Sequence, residues 1–234
     1  MASIINNLVR KAPELVRSAI PLGPTSFIRS IGGLSNAVSV PKIQHPAPNF
    51  EGMATVGDEF KLIRLNDFKG KYLILFFYPL DFTFVCPTEL IAIEALYDRF
   101  QSLNTSVVGI SIDSHYTHLA WMNTSREKGG LGKLRYPLLS DINKNIARDY
   151  NVLLEKDGVA LRGSFLIDPK GILRVMTVND LNVGRNIEEF VRIVEALQFS
   201  EEHGEVCPAN WTKGGPTIRP DPKGAQQYFT TVNK

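Results

Sequence analysis

The sequence predicts an α/β domain with a mixed central sheet flanked by helices, followed by an extended C-terminal arm. Three observations carry that prediction. Strand-like and helix-like periodicities alternate from residue 71 to residue 149, a hairpin signal and one more helix follow, and apolar residues become sparse after residue 200. With 234 residues, 44% of them hydrophobic and 21% charged, the chain has the composition of a globular protein with one core and tails. No apolar run approaches the ~18 residues that a membrane span needs, so a soluble protein is expected.

Residues 41–48, with Pro46 and Pro48, read as a stiff linker. Residues 71–78 are a continuous apolar, β-favouring run bounded by Phe68-Lys-Gly and Pro79, which predicts a strand buried on both faces at the centre of the sheet. Leu90, Ile93, Tyr97 and Phe100 recur every three or four residues, so residues 88–100 predict one amphipathic helix. Strand character returns at 107–112. Helices are expected at 117–127 and 143–149, around a short strand-like stretch at 137–139. Asp168-Pro-Lys-Gly171 suits a type I turn and makes a hairpin of 164–167 and 172–178. Ile187, Phe190, Val191, Val194 and Leu197 mark one face of a last helix over 186–199. Residues 41–200 therefore form the domain. Residues 201–234, with four Gly and four Pro, predict an arm that crosses a surface.

The formal charge of +2 is uneven. Residues 1–40 hold Arg10, Lys11, Arg17 and Arg29 against Glu14 alone, a net +3 that leaves −1 for the rest. Spaced basic residues, repeated Ser and helical apolar spacing from Ile4 to Ile20 are the composition of a mitochondrial transit peptide. Location in the mitochondrial matrix is expected, with a basic arm on a cytoplasmic protein as the alternative. The near-neutral body gives no electrostatic reason for nucleic-acid binding.

Cys86 and Cys207 are the two cysteines, too few for a disulfide-stapled scaffold or a Cys₄ zinc module. His115 with His118, and His203 with Cys207, have spacings compatible with metal ligation, but surface His pairs are common and no metal is expected. Cys86 lies in the loop from Pro79 to Pro87 that ends the central strand and opens a helix, where open α/β sheets bind ligands. Pro87 suits the first helical position. The positive end of the helix dipole and its free N–H groups favour thiolate over thiol. Thr83 adds a hydroxyl. From position alone, a reactive thiol and a small buried hydrophobe remain equally open for Cys86.

Several motifs narrow this. Phe77-Tyr-Pro-Leu-Asp-Phe-Thr-Phe-Val-Cys-Pro-Thr-Glu89 resembles the active-site segment of the typical 2-Cys peroxiredoxins, with that family's Pro-x-x-x-Thr-x-x-Cys pattern at Pro79, Thr83 and Cys86. His203-Gly-Glu-Val-Cys-Pro208 resembles its resolving-cysteine segment, and Leu161-Arg-Gly163 and Val178-Asn-Asp-Leu-Asn-Val-Gly-Arg185 match as well. His118-Leu-Ala-Trp121 and Cys207-Pro-Ala-Asn-Trp211 are similar to the mitochondrial branch. The resemblance implies a thioredoxin-like fold and a thiol-dependent peroxidase for hydrogen peroxide and small hydroperoxides, without metal or organic cofactor, serving antioxidant defence and peroxide signalling. It implies that Cys86 is the peroxidatic cysteine and passes through a sulfenic acid. Thr83 and Arg162 would bind the peroxide oxygens, Pro79 would shield the pocket, and Glu89 and Arg185 would hold Arg162. Cys207 of a partner subunit would resolve the sulfenic acid as an intersubunit disulfide, after the first helical turn unwinds, and thioredoxin would reduce it. A homodimer assembled into a decameric or dodecameric ring is implied.

Gly129, Gly130, Leu131 and Gly132, with Tyr228 and Phe229, resemble the paired motifs of the peroxide-sensitive members, which implies hyperoxidation and sulfiredoxin as a partner. The Gly-rich stretch matches neither phosphate-binding pattern. A holdase chaperone in the oligomeric, hyperoxidised form is the alternative function. A thioredoxin-like disulfide oxidoreductase is disfavoured because C-x-x-C is absent.

Overall fold

The computed structural model describes residues 40–233. The transit-peptide expectation concerns residues that, Val40 apart, lie outside the described ones. A hairpin opens the domain, with β1 (Glu51–Val56) and β2 (Glu59–Arg64) joined at Gly57 and Asp58. Then come β3 (Tyr72–Phe77), α1 (Cys86–Ala95), α2 (Tyr97–Ser102), β4 (Thr105–Ser111), α3 (His115–Met122), β5 (Leu138–Ser140) and α4 (Asn145–Asp149). A two-residue ladder of β6 (Leu153–Leu154) and β7 (Val159–Ala160) precedes β8 (Arg162–Ile167), β9 (Leu173–Asn179), α5 (Ile187–His203) and α6 (Pro222–Val232). Seven strands form one sheet in the order β2-β1-β5-β4-β3-β8-β9. It is mixed, since β3 runs parallel to β4 and β4 to β5, whereas β8 is antiparallel to β3 and β9.

β3 is buried along its whole length. Alternation splits its side chains between two cores. Tyr72, Ile74 and Phe76 pack with Leu90, Ile93, Phe190 and Val194 on the face that carries α1 and α5. Leu73, Leu75 and Phe77 pack with Val108, Ile110, Tyr150 and Phe165 on the other. The carboxyl end of this buried strand leads directly into the loop bearing Cys86. Asp168 accepts from the N–H groups of Lys170 and Ile172, and Gly171 takes φ +83°, so the β8–β9 turn closes where the sequence places it.

Several expectations need correction. The helix expected over 88–100 is two helices, because Leu96 (φ −98°, ψ 7°) shares its N–H between the carbonyls of Ala92 and Ile93. Tightening of this turn keeps the apolar spacing while ending α1. Pro87 is the second helical residue and Cys86 the first, since Val85 already has helical dihedrals (φ −80°, ψ −37°). The helix expected over 117–127 begins two residues earlier, where Ser114 caps Thr117, and ends at Met122. The last domain helix continues to His203, which therefore lies in α5 and not in the arm, with Gly204 closing it at φ +67°. The arm is not extended throughout. Asp221 accepts from the N–H groups of Lys223 and Gly224, Pro222 occupies the first turn, and α6 follows.

Candidate active site

The loop after β3 is braced from below. The Tyr78 hydroxyl donates to Asp81 Oδ1 (2.8 Å), His118 Nδ1 meets Asp81 Oδ2 (2.8 Å), and the Asp81 N–H donates to Asp113 Oδ2 (2.9 Å). Burial pushes the Asp81 carboxyl up from its ordinary value, with His118 opposing. Pro79 is buried within this loop. Thr83 donates its hydroxyl proton to the Leu80 carbonyl (2.9 Å), which leaves its oxygen lone pairs as acceptors. Cys86 follows at the first turn of α1, 1% exposed.

Arg162 opens β8, beside the end of β3, and is 3% exposed. Its Nη1 lies 3.4 Å from Cys86 Sγ and donates to Glu89 Oε2 at 2.9 Å, while its Nε donates to the Leu181 carbonyl at 2.8 Å. Glu89, three residues after the cysteine, also accepts from Arg185: N–H to Oε1 at 2.8 Å, Nε to Oε1 at 2.9 Å and Nη2 to Oε2 at 2.9 Å. Arg185 further donates to the Gly163 carbonyl and to Ser164 Oγ, and its guanidinium lies 3.2 Å over the Phe76 ring. Burial lowers the Arg185 pKa, countered by Glu89. Two cations and one carboxylate are thus held out of water beside one sulfur. Each carboxylate oxygen is bound twice or more, the condition under which a buried ion pair is tolerable. A substrate reaching Sγ meets a fixed guanidinium, the kind of preorganised donor that stabilises charge developing next to the sulfur.

Cys86, Glu89, Arg162 and Arg185 are therefore linked by direct contacts, and Pro79 and Thr83 belong to the same loop. Cys207 is elsewhere. It lies beyond α5, partly buried, with Sγ 3.6 Å from the Ala196 carbonyl in a groove lined by Arg192, Ile193, Leu197 and Pro208. Both cysteines are free thiols. Burial pushes the Cys207 thiol up, with Arg192 opposing. His118 turns inward to Asp81 while the His115 ring packs at a tilt against Tyr116, with centroids 4.2 Å apart, so this spaced pair has separate partners.

The Gly129–Gly132 stretch folds against the end of α3. Trp121 Nε1 donates to the Gly129 carbonyl (2.8 Å), the Leu131 N–H donates to the Trp121 carbonyl (3.1 Å), and Leu131 is fully buried. A Cβ on Gly130 would stand 2.0 Å from the Thr124 carbonyl oxygen, so only glycine fits. Tyr228 and Phe229 lie on α6, with Phe229 half exposed. Among the described residues no hydrogen bond joins α6 to residues 129–132. Sequence reasoning assigned no role to Asp81 and His118, whose pairing across 37 positions has no local pattern to reveal it.

A buried cysteine at a strand-to-helix junction, beside a buried Arg–Glu–Arg cluster, suits an enzyme that works through a thiolate, and known proteins of that kind resemble the chain along most of its length. Residues 43–176 match the AhpC/TSA family and residues 196–231 the C-terminal domain of 1-Cys peroxiredoxin. The chain belongs to the peroxiredoxin family, among its typical 2-Cys members. It is 52% identical over 221 residues to the mitochondrial thioredoxin-dependent peroxide reductase of Mus musculus, covering 94% of this chain and 84% of that one. The counterpart of the same description from Drosophila melanogaster is 47% identical over 98% of this chain and 99% of its own. Among solved structures, the reduced 2-Cys peroxiredoxin of Plasmodium vivax superimposes with a TM-score of 0.78 at 47% identity, covering 80% of this chain and 98% of that one. The fold is thioredoxin-like, and the activity is peroxide reduction.

Proposed function

We propose that Cys86 is the peroxidatic residue. The observation that carries this reading is the 3.4 Å contact of Arg162 Nη1 with Cys86 Sγ, braced by Glu89 and Arg185. The thiolate is the nucleophile in such chemistry. It attacks the terminal oxygen of hydrogen peroxide or a small organic hydroperoxide, an S–O bond forms as the O–O bond breaks, and the leaving oxygen takes a proton to depart as water or alcohol. Cys86 is left as sulfenic acid. Arg162 balances the charge, Thr83 accepts a hydrogen bond from the bound peroxide, and Pro79 excludes water.

Cys207 of a partner subunit then condenses with the sulfenic acid, forming a disulfide and releasing water. Disulfide geometry needs Cα atoms within about 7 Å, so a sulfur buried in the first turn of α1 has to leave its pocket by local unwinding. Thioredoxin reduces the disulfide by thiol exchange. The thioredoxin-dependent relatives support that reductant. Strand β9 forms one edge of the sheet and exposes Met176 and Val178, which supports a homodimer through this edge. Exposed Phe84 and Tyr116 support further association into a decameric or dodecameric ring. The peroxidase domain runs from residue 41 to the end of α5 at His203, and residues 204–234 are the arm that delivers Cys207. α6, through Tyr228 and Phe229, slows unwinding and exposes the sulfenic acid to a second peroxide, which makes sulfiredoxin a further partner. The basic residues of 1–40 and the mitochondrial relatives support location in the matrix.

Non-reducing electrophoresis after one equivalent of peroxide tests the core of this. A covalent dimer is expected, lost in both Cys86→Ser and Cys207→Ser. A dimer that survives either substitution overturns the assignment.

A further inference from the structure

Helix α1 is fastened at both ends. Near its start, Glu89 is held by Arg162 and Arg185. Near its finish, Glu94 is held by Arg135, in the segment leaving the Gly129–Gly132 stretch. The Arg135 N–H donates to Glu94 Oε2 (2.8 Å), its Nε to Glu94 Oε1, and its Nη2 to the Glu94 carbonyl (3.2 Å). Its Nη1 reaches Asp98 on α2 (2.7 Å), and its guanidinium lies 4.5 Å from the centre of the Tyr97 ring. One side chain therefore spans the break at Leu96. The next residue, Tyr136, is buried and donates its hydroxyl to the Leu90 carbonyl (2.7 Å), pinning the middle of α1.

We infer that Arg135 is a positioning residue that sets how often Cys86 leaves its pocket, and so divides the sulfenic acid between disulfide and sulfinic acid. This deepens the peroxidase reading above and rests on it. The two fates have opposite geometric needs. In one, the sulfenic acid and the Cys207 thiol form an S–S bond and release water, which requires Cys86 outside. In the other, a second hydrogen peroxide transfers an oxygen to the sulfenic sulfur, leaves as water and yields sulfinic acid, which requires Cys86 inside. With its body pinned at Leu90 and Glu94, α1 can release the cysteine only by unwinding its first turn. Without the clamp, the helix can also fray from its far end or swing outward, so release becomes more frequent. A single exposed ion pair contributes little. Here the guanidinium fork binds one carboxylate oxygen and the carbonyl of Glu94 while the Arg135 N–H binds the other oxygen, and the Glu94 side chain is only 12% exposed.

Intact-mass measurement of sulfinic acid against disulfide over a series of hydrogen peroxide concentrations tests this in the full chain. Arg135→Ala should raise the concentration giving half-hyperoxidation roughly two- to fivefold, in keeping with an exposed multidentate pair. Arg135→Lys, which lacks the fork, should fall between. The rate of the first oxidation of Cys86 should not change. Raising the salt should move the wild type toward Arg135→Ala and leave that variant where it is. Hydrogen exchange at the amides of residues 90–95 should quicken in Arg135→Ala, a readout that needs no peroxide. An unchanged half-point and unchanged exchange in a folded Arg135→Ala protein would overturn the inference. A wild type that forms neither sulfenic acid nor disulfide would instead overturn the peroxidase reading, and exchange would still decide the clamp.

Discussion

Glu89 is the residue on which the most depends, because it alone separates two buried guanidinium groups. Glu89→Gln removes the carboxylate that binds both Arg162 and Arg185, and breaking a buried pair in this way costs about 3–5 kcal/mol. Urea unfolding should show that loss, and stopped-flow oxidation should slow at least ~10-fold as Arg162 leaves the sulfur. Arg162→Lys keeps the charge but cannot reach Sγ, Glu89 and the Leu181 carbonyl at once, so a drop of roughly 10- to 100-fold is expected in the same assay. At Cys207 the sign follows from its surroundings: burial raises the thiol pKa and Arg192 lowers it. Alkylation of Cys207 should therefore keep rising with pH beyond the ordinary thiol range, and Arg192→Gln should shift the profile higher still, as read by mass spectrometry. At this scale Cys86 was legible from its strand-to-helix position. Arg162 and Arg185 were legible only through motif resemblance, because they stand 76 positions from Cys86 and 96 from Glu89, beyond any periodicity.

Among the elements, those with strong apolar patterns were read to within a residue or two, as β3 and the β8–β9 hairpin show. The β1–β2 hairpin carried no such pattern, since β2 is exposed along most of its length and only Gly57-Asp58 marks its turn. The division of α1 from α2 was invisible because a one-residue tightening at Leu96 preserves helical spacing. α6 was masked by the Gly and Pro around it, although Asp221-Pro222 is a helix-start signal in its own right. Gly130→Ala forces a Cβ into the Thr124 carbonyl and should destabilise the protein by at least ~1–3 kcal/mol in thermal unfolding. Ending the chain before Tyr228 should reduce sulfinic acid at Cys86 without slowing its first oxidation, and unchanged hyperoxidation by mass spectrometry would separate α6 from that process.

For the whole molecule, the sheet order bears on the proposed homodimer as well as on the site. Beyond Leu173, which bonds to Gln44 and His45, β9 is an edge strand whose outer side pairs with no other strand and carries exposed Met176 and Val178, whereas β3 is enclosed. Val178→Lys should therefore weaken self-association in sedimentation velocity and suppress the intersubunit disulfide, while Cys86 still reaches sulfenic acid. The same layout has a consequence in time. The groups that touch Glu89 and Cys86 come from α1, from the first residue of β8 and from the turn before α5. A growing polypeptide that has emerged only as far as Cys86 lacks both arginines, so its sulfur has no prepared surroundings. If Cys86 has the role proposed for it, reactivity toward oxidant is acquired late, when distant stretches meet, and an unfinished chain is spared the chemistry that the finished one performs.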